Sequence, residues 1–402
     1  MSRTAVVWFA ADFVSLLGNT AMGLALPWLV LARTQDAAAA GIVAACTAAP
    51  AFIAAVLGGS LADRLGRRTI AVAADAGSAL SVVLLYVVDA TLGLDLGWFI
   101  LLGVLGALFD VPGMTARQAM LPEVARSSGM TTDRASAIRQ ALFGASFLAG
   151  PALAGGALAL LPSSSVLMLI AGCSALACLL TALLPRTLDG QRESSTQPLV
   201  GHVRAGFAAL RSAPAALAIT VLGVGSVLVI SPLQAVVLPV VFLSIDAPAL
   251  LGLTLAVFAV GLIGGSLLYG WVSARWRRRS ILVAALVASF VGLAAFAAVP
   301  VPGVITVAGV FVGLGYGLLS PMFPVLIAER VPESARARVL GLQNAGYLAA
   351  FPLGALAAGF VVQHAGVQAG AMAVAAAWAL FVAYGLSARA LRNPEPAEAR
   401  ER

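Results

Sequence analysis

Residues 59–68 read GSLADRLGRR and form a short charged segment between two long apolar stretches. Asp63 lies among three arginines, so its carboxylate has cations within reach. Gly66 permits a backbone conformation that is closed to other residues. Because both flanks are apolar, Arg67 and Arg68 are expected at the level of the lipid headgroups. The segment therefore predicts a tight charged connection between two membrane helices.

The composition agrees with a membrane protein, because only 10% of the 402 residues are charged and 61% are hydrophobic. A soluble protein carries about 25% charged residues, and a disordered chain has few apolar ones. A membrane-spanning helix needs about 20 mostly apolar residues. By that measure the sequence predicts an all-α integral membrane protein with twelve spans: 6–32, 39–61, 69–88, 96–116, 135–161, 165–184, 215–242, 249–272, 281–299, 304–327, 340–362 and 369–391.

The arginines give an independent test of this layout. All 24 basic residues are arginine, and with the N-terminus inside only Arg33 falls in an outer segment, which leaves 23 on the cytoplasmic side. Positive residues are enriched in cytoplasmic loops. We therefore expect a multi-pass protein of the cell membrane with both termini in the cytoplasm. A cleaved signal peptide is disfavoured, because the first apolar run is long and contains Asp12.

The two halves of the sequence contain similar segments at corresponding positions. Residues 59–68 correspond to residues 270–279, which read GWVSARWRRR. Two six-helix halves in the same orientation are typical of a parallel repeat about the membrane normal. The predicted domains are an N-terminal six-helix bundle at 1–185, a cytoplasmic linker at 186–213 and a C-terminal six-helix bundle at 214–402.

Several kinds of chemistry are excluded by residue type. The chain has no lysine, so a Walker A phosphate loop and a lysine Schiff base are both absent. Cys46, Cys173 and Cys178 lie in apolar runs and are expected as small core residues, and no zinc-type spacing is present. We therefore expect no enzyme activity, cofactor or metal, and the one-sided positive charge argues against nucleic acid as a partner.

At this point the sequence resembles the major facilitator superfamily of secondary transporters, whose signature loop is similar to residues 59–68. The resemblance implies a gating latch and a transport cycle in which two halves rock around a central cavity. The implied latch residues are Gly59, Asp63, Arg64, Gly66, Arg67, Arg68 and Asp110. The second copy has Ala274 in place of Asp63 and Arg277 in place of Gly66, so we expect a latch only in the N-terminal half.

Two further motifs resemble exporters within that superfamily. The fifth span is similar to the antiporter motif of drug-efflux proteins, through Gly144, Gly150, Pro151, Gly155 and Gly156. Small residues also let helices pack closely, so plain helix packing is an equal alternative. Residues 108–114 and 15–19 look like the branch that holds macrolide-type and siderophore exporters.

Apart from Arg389 at the end of the last span, four charged residues fall inside predicted spans, and each is a functional candidate because burying a charge in a bilayer is costly. Asp12, Asp75, Asp110 and Arg139 are therefore the candidates for proton coupling. The resemblance favours a latch role for Asp110, with proton carriage as the alternative, and it favours Asp12 as the proton carrier. We expect Asp75 to form a structural ion pair. Arg139 needs an acidic partner, and the candidates are Asp110 and Asp12.

The substrate is expected near the bilayer midplane. Polar, aromatic and methionine side chains on the lining helices suit a lipophilic ligand, although helix packing is an alternative for each one. The candidates are Asn19, Met22, Gln234, Tyr316, Met322, Phe323, Asn344 and Tyr347. These observations favour a monomeric exporter that exchanges a hydrophobic or amphipathic small molecule, such as a drug, antibiotic or natural product, for protons. The alternatives are a siderophore or metabolite exporter, an uptake carrier, and a non-transporting sensor or scramblase.

Overall fold

The computed structural model describes residues 2–189, 210–211, 214–273, 275–299, 301–331 and 333–391, with only the backbone described over 55–64, 333–338 and a few single positions. The described residues form helices joined by short connections, and no strand occurs among them. This agrees with the predicted all-α class.

Six helices occupy the first part of the chain. They are α1 (Arg3–Thr34), α2 (Ala37–Leu65), α3 (Arg67–Thr91), α4 (Leu96–Ser127), α5 (Thr132–Leu160) and α6 (Ser163–Ala182), followed by a 3₁₀ turn at Arg186–Asp189. Several of them begin after a side chain that accepts a hydrogen bond from a free backbone N–H group, whereas α3 and α6 have no such side-chain bond. Asp95 caps α4 through the Trp98 amide at 3.0 Å, and Thr131 caps α5 through the Arg134 amide at 3.3 Å.

Gly66 alone separates α2 from α3. Its φ of +96° lies in the region that favours glycine, as the sequence predicts. Because no other residue intervenes, the chain reverses direction at this glycine, and Arg67 and Arg68 begin the next helix.

The second part of the chain begins with α7 (Pro214–Pro232), which passes through a π-helical turn (Leu233–Val237) into α8 (Leu238–Ser244). The turn directly follows Pro232, which has no N–H for the regular helical bond. The remaining helices are α9 (Pro248–Val272), α10 (Arg278–Ala298), α11 (Pro302–Arg330) and α12 (Glu333–Ser387), with a last 3₁₀ turn at Arg389–Leu391. Helix α12 is interrupted at Gly366, where φ is +85° and ψ is 163°, between the predicted spans 340–362 and 369–391.

Among the described residues, ten helices are long and apolar enough to cross a membrane. Helix α2 contributes a shorter apolar segment, Ala37–Ala48. Large apolar side chains such as Leu267 and Leu380 are more than 70% exposed, as on a surface that faces lipid. The protein is a multi-pass membrane protein.

The chain divides into two compact units, residues 1–196 with 242–253, and residues 197–241 with 254–402. One core of the first unit forms around Trp8, Phe9 and Met120, which are at most 5% exposed. The predicted linker 186–213 falls mostly outside the described residues. Cys46 is exposed and the other two cysteines are half-buried, so the expectation of three core cysteines is wrong, because an apolar membrane helix also presents side chains to lipid.

Candidate functional site

A group of five ionisable side chains lies within the helices of the first unit. Asp12, Asp75 and Arg117 are 1%, 4% and 2% exposed, whereas Asp110 and Arg139 are half-buried. A charge at the centre of a bilayer costs about 2.5–3.5 kcal/mol, so each of these groups is stable only with a suitable partner. The five side chains form the centre of the candidate site.

Asp75 and Arg117 form the more deeply buried of two ion pairs. Arg117 Nη2 pairs with Asp75 Oδ2 and donates to Thr181 Oγ1 at 3.0 Å. Ser15 donates to the other carboxylate oxygen at 3.2 Å. The pair therefore connects α1, α3, α4 and α6 through charge-assisted hydrogen bonds, which are stronger than neutral ones.

Asp12 and Arg139 form the second pair, between α1 and α5. Arg139 Nε lies 3.1 Å from Asp12 Oδ2, and the Arg139 side chain is 16% exposed. The sequence predicts either Asp110 or Asp12 as the partner of Arg139. In the structure the partner is Asp12.

Asp110 is the acid of this group that forms no ion pair with a described side chain. Its carboxylate lies near the Ser78 hydroxyl, and its charged neighbours are Asp75 and Arg117. The Ser78 hydroxyl also lies 3.5 Å from that of Ser174. Three carboxylates thus face two guanidinium groups, which leaves one negative charge in excess when all are ionised.

Arg117 is the functional candidate that sequence reasoning missed. The predicted fourth span ends at residue 116, so Arg117 was assigned to a cytoplasmic segment, whereas α4 continues to Ser127. Two signals point to it in retrospect. The seven-residue spacing from Asp110 places both residues on one helix face, and one arginine inside the spans could not balance three acids.

The last two arginines of the signature loop donate to backbone carbonyls of other helices. Arg67 Nη1 donates to Ala119 O at 2.9 Å, and Arg68 Nη2 donates to Ala182 O at the end of α6. Ala119 lies about 13 Å along α4 from Asp110 at 1.5 Å per residue. The expected pairing of Asp110 with either arginine is not among the described contacts of Asp110.

Three other predicted latch residues, Gly59, Asp63 and Arg64, are described only in their backbone, as part of α2. Their side-chain contacts therefore lie outside the described part of the structure. The latch stays a prediction.

The second copy of the loop makes contacts of the same kind within the second unit. Arg278 forms a two-bonded pair with Glu329 on α11, with Nη2 to Oε1 at 2.7 Å. Arg279 donates to the carbonyls of Gly385, Leu386 and Leu391 at 2.8, 2.7 and 3.1 Å. In both copies the first arginine binds the fourth helix of its repeat and the second binds a helix C-terminus, where cations are favoured.

The glycines of the antiporter-like motif allow close packing around α5. A Cβ on Gly155 would lie 2.6 Å from Pro248 O and 2.8 Å from Gly252 Cα, within the first unit. A Cβ on Gly150 would clash with Thr20 and Ala21, whereas Gly156 faces open space. Pro151 lies inside α5, as does Gly144. The described contacts of this motif are thus those of helix packing.

A group of neutral polar side chains lies where α7 meets α12 in the second unit. Gly223 leaves room for Tyr347 and Gln343, because a Cβ there would lie 2.5 Å from the tyrosine hydroxyl and 3.2 Å from the amide nitrogen. Tyr316 on α11 is a near neighbour of Tyr347. Gln343 and Thr220 are 3% and 8% exposed, and Gln343 Nε2 and Thr220 Oγ1 find no hydrogen-bond partner among the described residues. We call these residues the α7–α12 polar cluster.

The other predicted substrate residues are dispersed. Gln234 lies in the π-helical turn and lines a small apolar cavity with Phe258 and Phe296. Met322 and Phe323 are 1% and 4% exposed and pack in the second unit. Asn19 and Met22 are half-buried on α1, and Asn344 is exposed.

Several long apolar helices, with charged side chains paired inside them, define a multi-pass membrane protein. The sequence profile of the Major Facilitator Superfamily matches residues 8–244 and 233–402. The chain therefore belongs to this superfamily, and the protein is a transporter and not an enzyme.

Individual relatives agree with this membership. The chain is 31% identical to the multidrug efflux pump Tap of Mycolicibacterium fortuitum over 359 residues, which cover 88% of this chain and 87% of that pump. It is 27% identical to the enterobactin exporter EntS of Salmonella typhi, covering 86% and 83% of the two chains. The fold is similar to that of the nucleoside transporter NupG, with a TM-score of 0.76, 16% identity and coverage of 96% and 99%.

We predict that breaking the Asp75–Arg117 pair from one side destabilises the protein more than removing both charges. Arg117→Met or Asp75→Asn alone leaves a buried charge without its partner, and we expect a loss of about 3–5 kcal/mol in the free energy of unfolding. The double variant should lose clearly less than the sum of the two. Unfolding of the purified protein in detergent measures the cycle.

The matched control is the exposed pair of Glu123 and Arg126, which lies on the same helix with a separation of 2.7 Å. Removing either of those charges should cost about 0–1 kcal/mol. Additive losses in the Asp75–Arg117 cycle would show that the two groups do not depend on each other.

Proposed function

We propose that this protein exports hydrophobic or amphipathic small molecules from the cell in exchange for protons. In this proposal the chain crosses the membrane twelve times, as six-helix bundles at 1–185 and 214–402 joined by a cytoplasmic linker at 186–213, and works as a monomer. Ten helices are long enough to span, and α2 together with the interruption of α12 at Gly366 accounts for the other two. The bias of the arginines supports cytoplasmic termini.

Relatives support the direction of transport and the class of substrate. Tap is named a multidrug efflux pump and EntS an enterobactin exporter, and both align with most of the chain. Export is therefore favoured over uptake, which the fold alone does not decide.

The observation that supports proton coupling is the imbalance of charges in the candidate site of the first unit, where three carboxylates lie with two guanidinium groups. Asp12 and Asp75 are each held by an arginine, and a proton on either would leave a buried guanidinium without its counterion. Asp110 is half-buried and forms no ion pair with a described side chain, so it can take up and release a proton without breaking an ion pair. We therefore assign the coupling proton to Asp110, where the sequence alone favoured Asp12.

The α7–α12 polar cluster supports recognition of a neutral ligand. Its described side chains are two tyrosines, a glutamine and a threonine, with no ionised group to balance a charged substrate. The amide nitrogen of Gln343 is a donor without an acceptor among the described residues, which is costly in a buried place. A carbonyl or ether oxygen of an amphipathic compound would supply that acceptor.

A second candidate is export of a siderophore or another metabolite, and the similarity to EntS is the observation that favours it. The absence of a cation among the described side chains of the α7–α12 polar cluster favours neutral compounds over anions. The two candidates therefore differ in the charge of the compound carried.

We predict that expression in an efflux-deficient host lowers the accumulation of several lipophilic compounds, and that an uncoupler abolishes the difference. The host carrying an empty vector is the control. Unchanged accumulation across a panel of neutral, cationic and anionic compounds would contradict drug export. A change confined to iron chelators would favour the second candidate, and a difference that survives the uncoupler would contradict proton coupling.

We predict that Asp110→Asn abolishes uphill export in proteoliposomes while substrate exchange at equal pH continues. One proton sustains a concentration ratio of about 50-fold for each 100 mV, and this ratio should fall to unity in the variant. Asp12→Asn is the matched control, and it should remain coupled although it is less stable. Uphill export by Asp110→Asn, or loss of coupling only in Asp12→Asn, would overturn the assignment.

We predict that the isosteric pair Gln343→Leu and Thr220→Val weakens transport only of compounds that offer a hydrogen-bond acceptor. Loss of one such bond should raise KM about tenfold for these compounds, and analogues without the acceptor should be unaffected. The midpoint of thermal unfolding should not fall, because neither polar atom has a described hydrogen-bond partner to lose. Equal effects on both kinds of compound, or a large loss of stability, would indicate a structural role.

A further inference from the structure

The segment between α9 and α10 has a composition that the transport proposal does not use. Residues 271–279, which we call the Trp–Arg loop, read WVSARWRRR. They begin within the last turn of an apolar helix that is long enough to span the membrane. The loop therefore lies at the boundary between hydrocarbon and water.

Two of its four arginines are already occupied within the second unit. Arg278 binds Glu329 on α11, and Arg279 donates to carbonyls at the end of α12. These two correspond to Arg67 and Arg68 of the first copy, which also bind inside their own unit. The contacts that the motif makes within its own unit thus use Arg278 and Arg279 and do not require Arg275 or Arg277.

Arg275 and Arg277 are both exposed, and neither forms an ion pair with a described acid. The guanidinium of Arg275 lies 4.8 Å from the centre of the Trp271 ring and donates to the Trp271 carbonyl at 3.1 Å. This cation–π contact holds the charge beside the ring and leaves other N–H donors of the fork available. Arg277 precedes α10 and makes no capping bond with its side chain.

The two tryptophans of the loop are also exposed, Trp271 by 58% and Trp276 by 54%. Such exposure of a large ring is unfavourable in water, whereas tryptophan is enriched where lipid headgroups meet the acyl chains. The two rings and the two guanidinium groups thus offer apolar and cationic surface together at one place.

The corresponding loop of the first unit lacks this surface. Trp271, Trp276 and Arg277 stand where Ser60, Leu65 and Gly66 stand in the first copy, and Ala274 stands where the first copy has Asp63. Arg277 has an ordinary φ of −62°, whereas Gly66 has a φ of +96°, so the second loop follows a path that accepts a side chain at this position. These differences make the second loop more cationic and more aromatic.

We propose that the Trp–Arg loop is a binding site for the headgroup of an anionic phospholipid of the bilayer. Arg275 and Arg277 bind the phosphate, since the planar guanidinium fork matches phosphate oxygens. Trp271 and Trp276 lie at the ester level beside the bound lipid. The site belongs to the second unit and does not depend on the proposed transport reaction.

The test uses the tryptophans as reporters in reconstituted full-length protein. Two brominated lipids are compared, phosphatidylglycerol and phosphatidylcholine, each brominated on the acyl chain near the ester linkage. Each is added in the same amount to a separate set of phosphatidylcholine vesicles. We expect stronger quenching of tryptophan fluorescence by the brominated anionic lipid. The excess should disappear in a Trp271→Phe/Trp276→Phe variant, which assigns it to the loop.

Arg275→Gln/Arg277→Gln should remove this excess, with about a fivefold loss of anionic-lipid preference for each arginine. Arg134→Gln/Arg186→Gln is the matched control, because it removes the same charge from exposed positions of the first unit, outside the Trp–Arg loop, and should retain the excess.

Equal quenching by the two brominated lipids in the wild type would overturn the proposal. Loss of the excess in both double variants would also overturn it, since that result indicates only a general effect of net charge. Inorganic phosphate is then added to the wild type: an unchanged excess supports a lipid site, and its loss at low concentration indicates a soluble anion as the ligand.

Discussion

The buried ion pair between Asp75 and Arg117 is the interaction on which the rest of the candidate site depends. It joins α3 to α4 and, through Ser15 and Thr181, reaches α1 and α6. Because charges inside a bilayer are costly when unpaired, this pair fixes the relative position of four helices. It also commits Arg117 to Asp75. With Arg139 committed to Asp12, Asp110 is left without an ion pair among the described side chains.

Much of the fold could be predicted from the sequence because a bilayer imposes simple rules. Helix length is set by membrane thickness, so runs such as 69–88 and 281–299 coincide with α3 and α10. Gly66 was recognised because only glycine readily adopts its backbone conformation. The repeat of residues 59–68 in 270–279 identified two loops whose final arginines make similar contacts in each unit. Helix ends were harder to place: α4 extends beyond residue 116 because Arg117 is neutralised by Asp75, which hydropathy alone does not reveal.

The pairing of the charges could not be derived from the sequence, because it depends on how the helices are rotated against each other. Sequence reasoning found Asp12, Asp75, Asp110 and Arg139 but could not decide which of them meet. It likewise included Tyr316 and Tyr347 but omitted Gln343 and Thr220, since a buried amide without a described partner is visible only after packing. In the proposed function, charged groups in the first unit serve coupling, and neutral polar groups in the second serve recognition.

The central claim is that Asp110 carries the exchangeable proton because the other two acids are bound to arginines. The most direct measurement is infrared difference spectroscopy of the reconstituted protein during a pH titration, followed in the carboxylic-acid region. We expect a titrating carboxylic-acid band that disappears in Asp110→Asn and persists in Asp12→Asn and in Asp75→Asn. A band that survives in Asp110→Asn but is lost in Asp12→Asn would contradict the claim and move the proton to the Asp12–Arg139 pair.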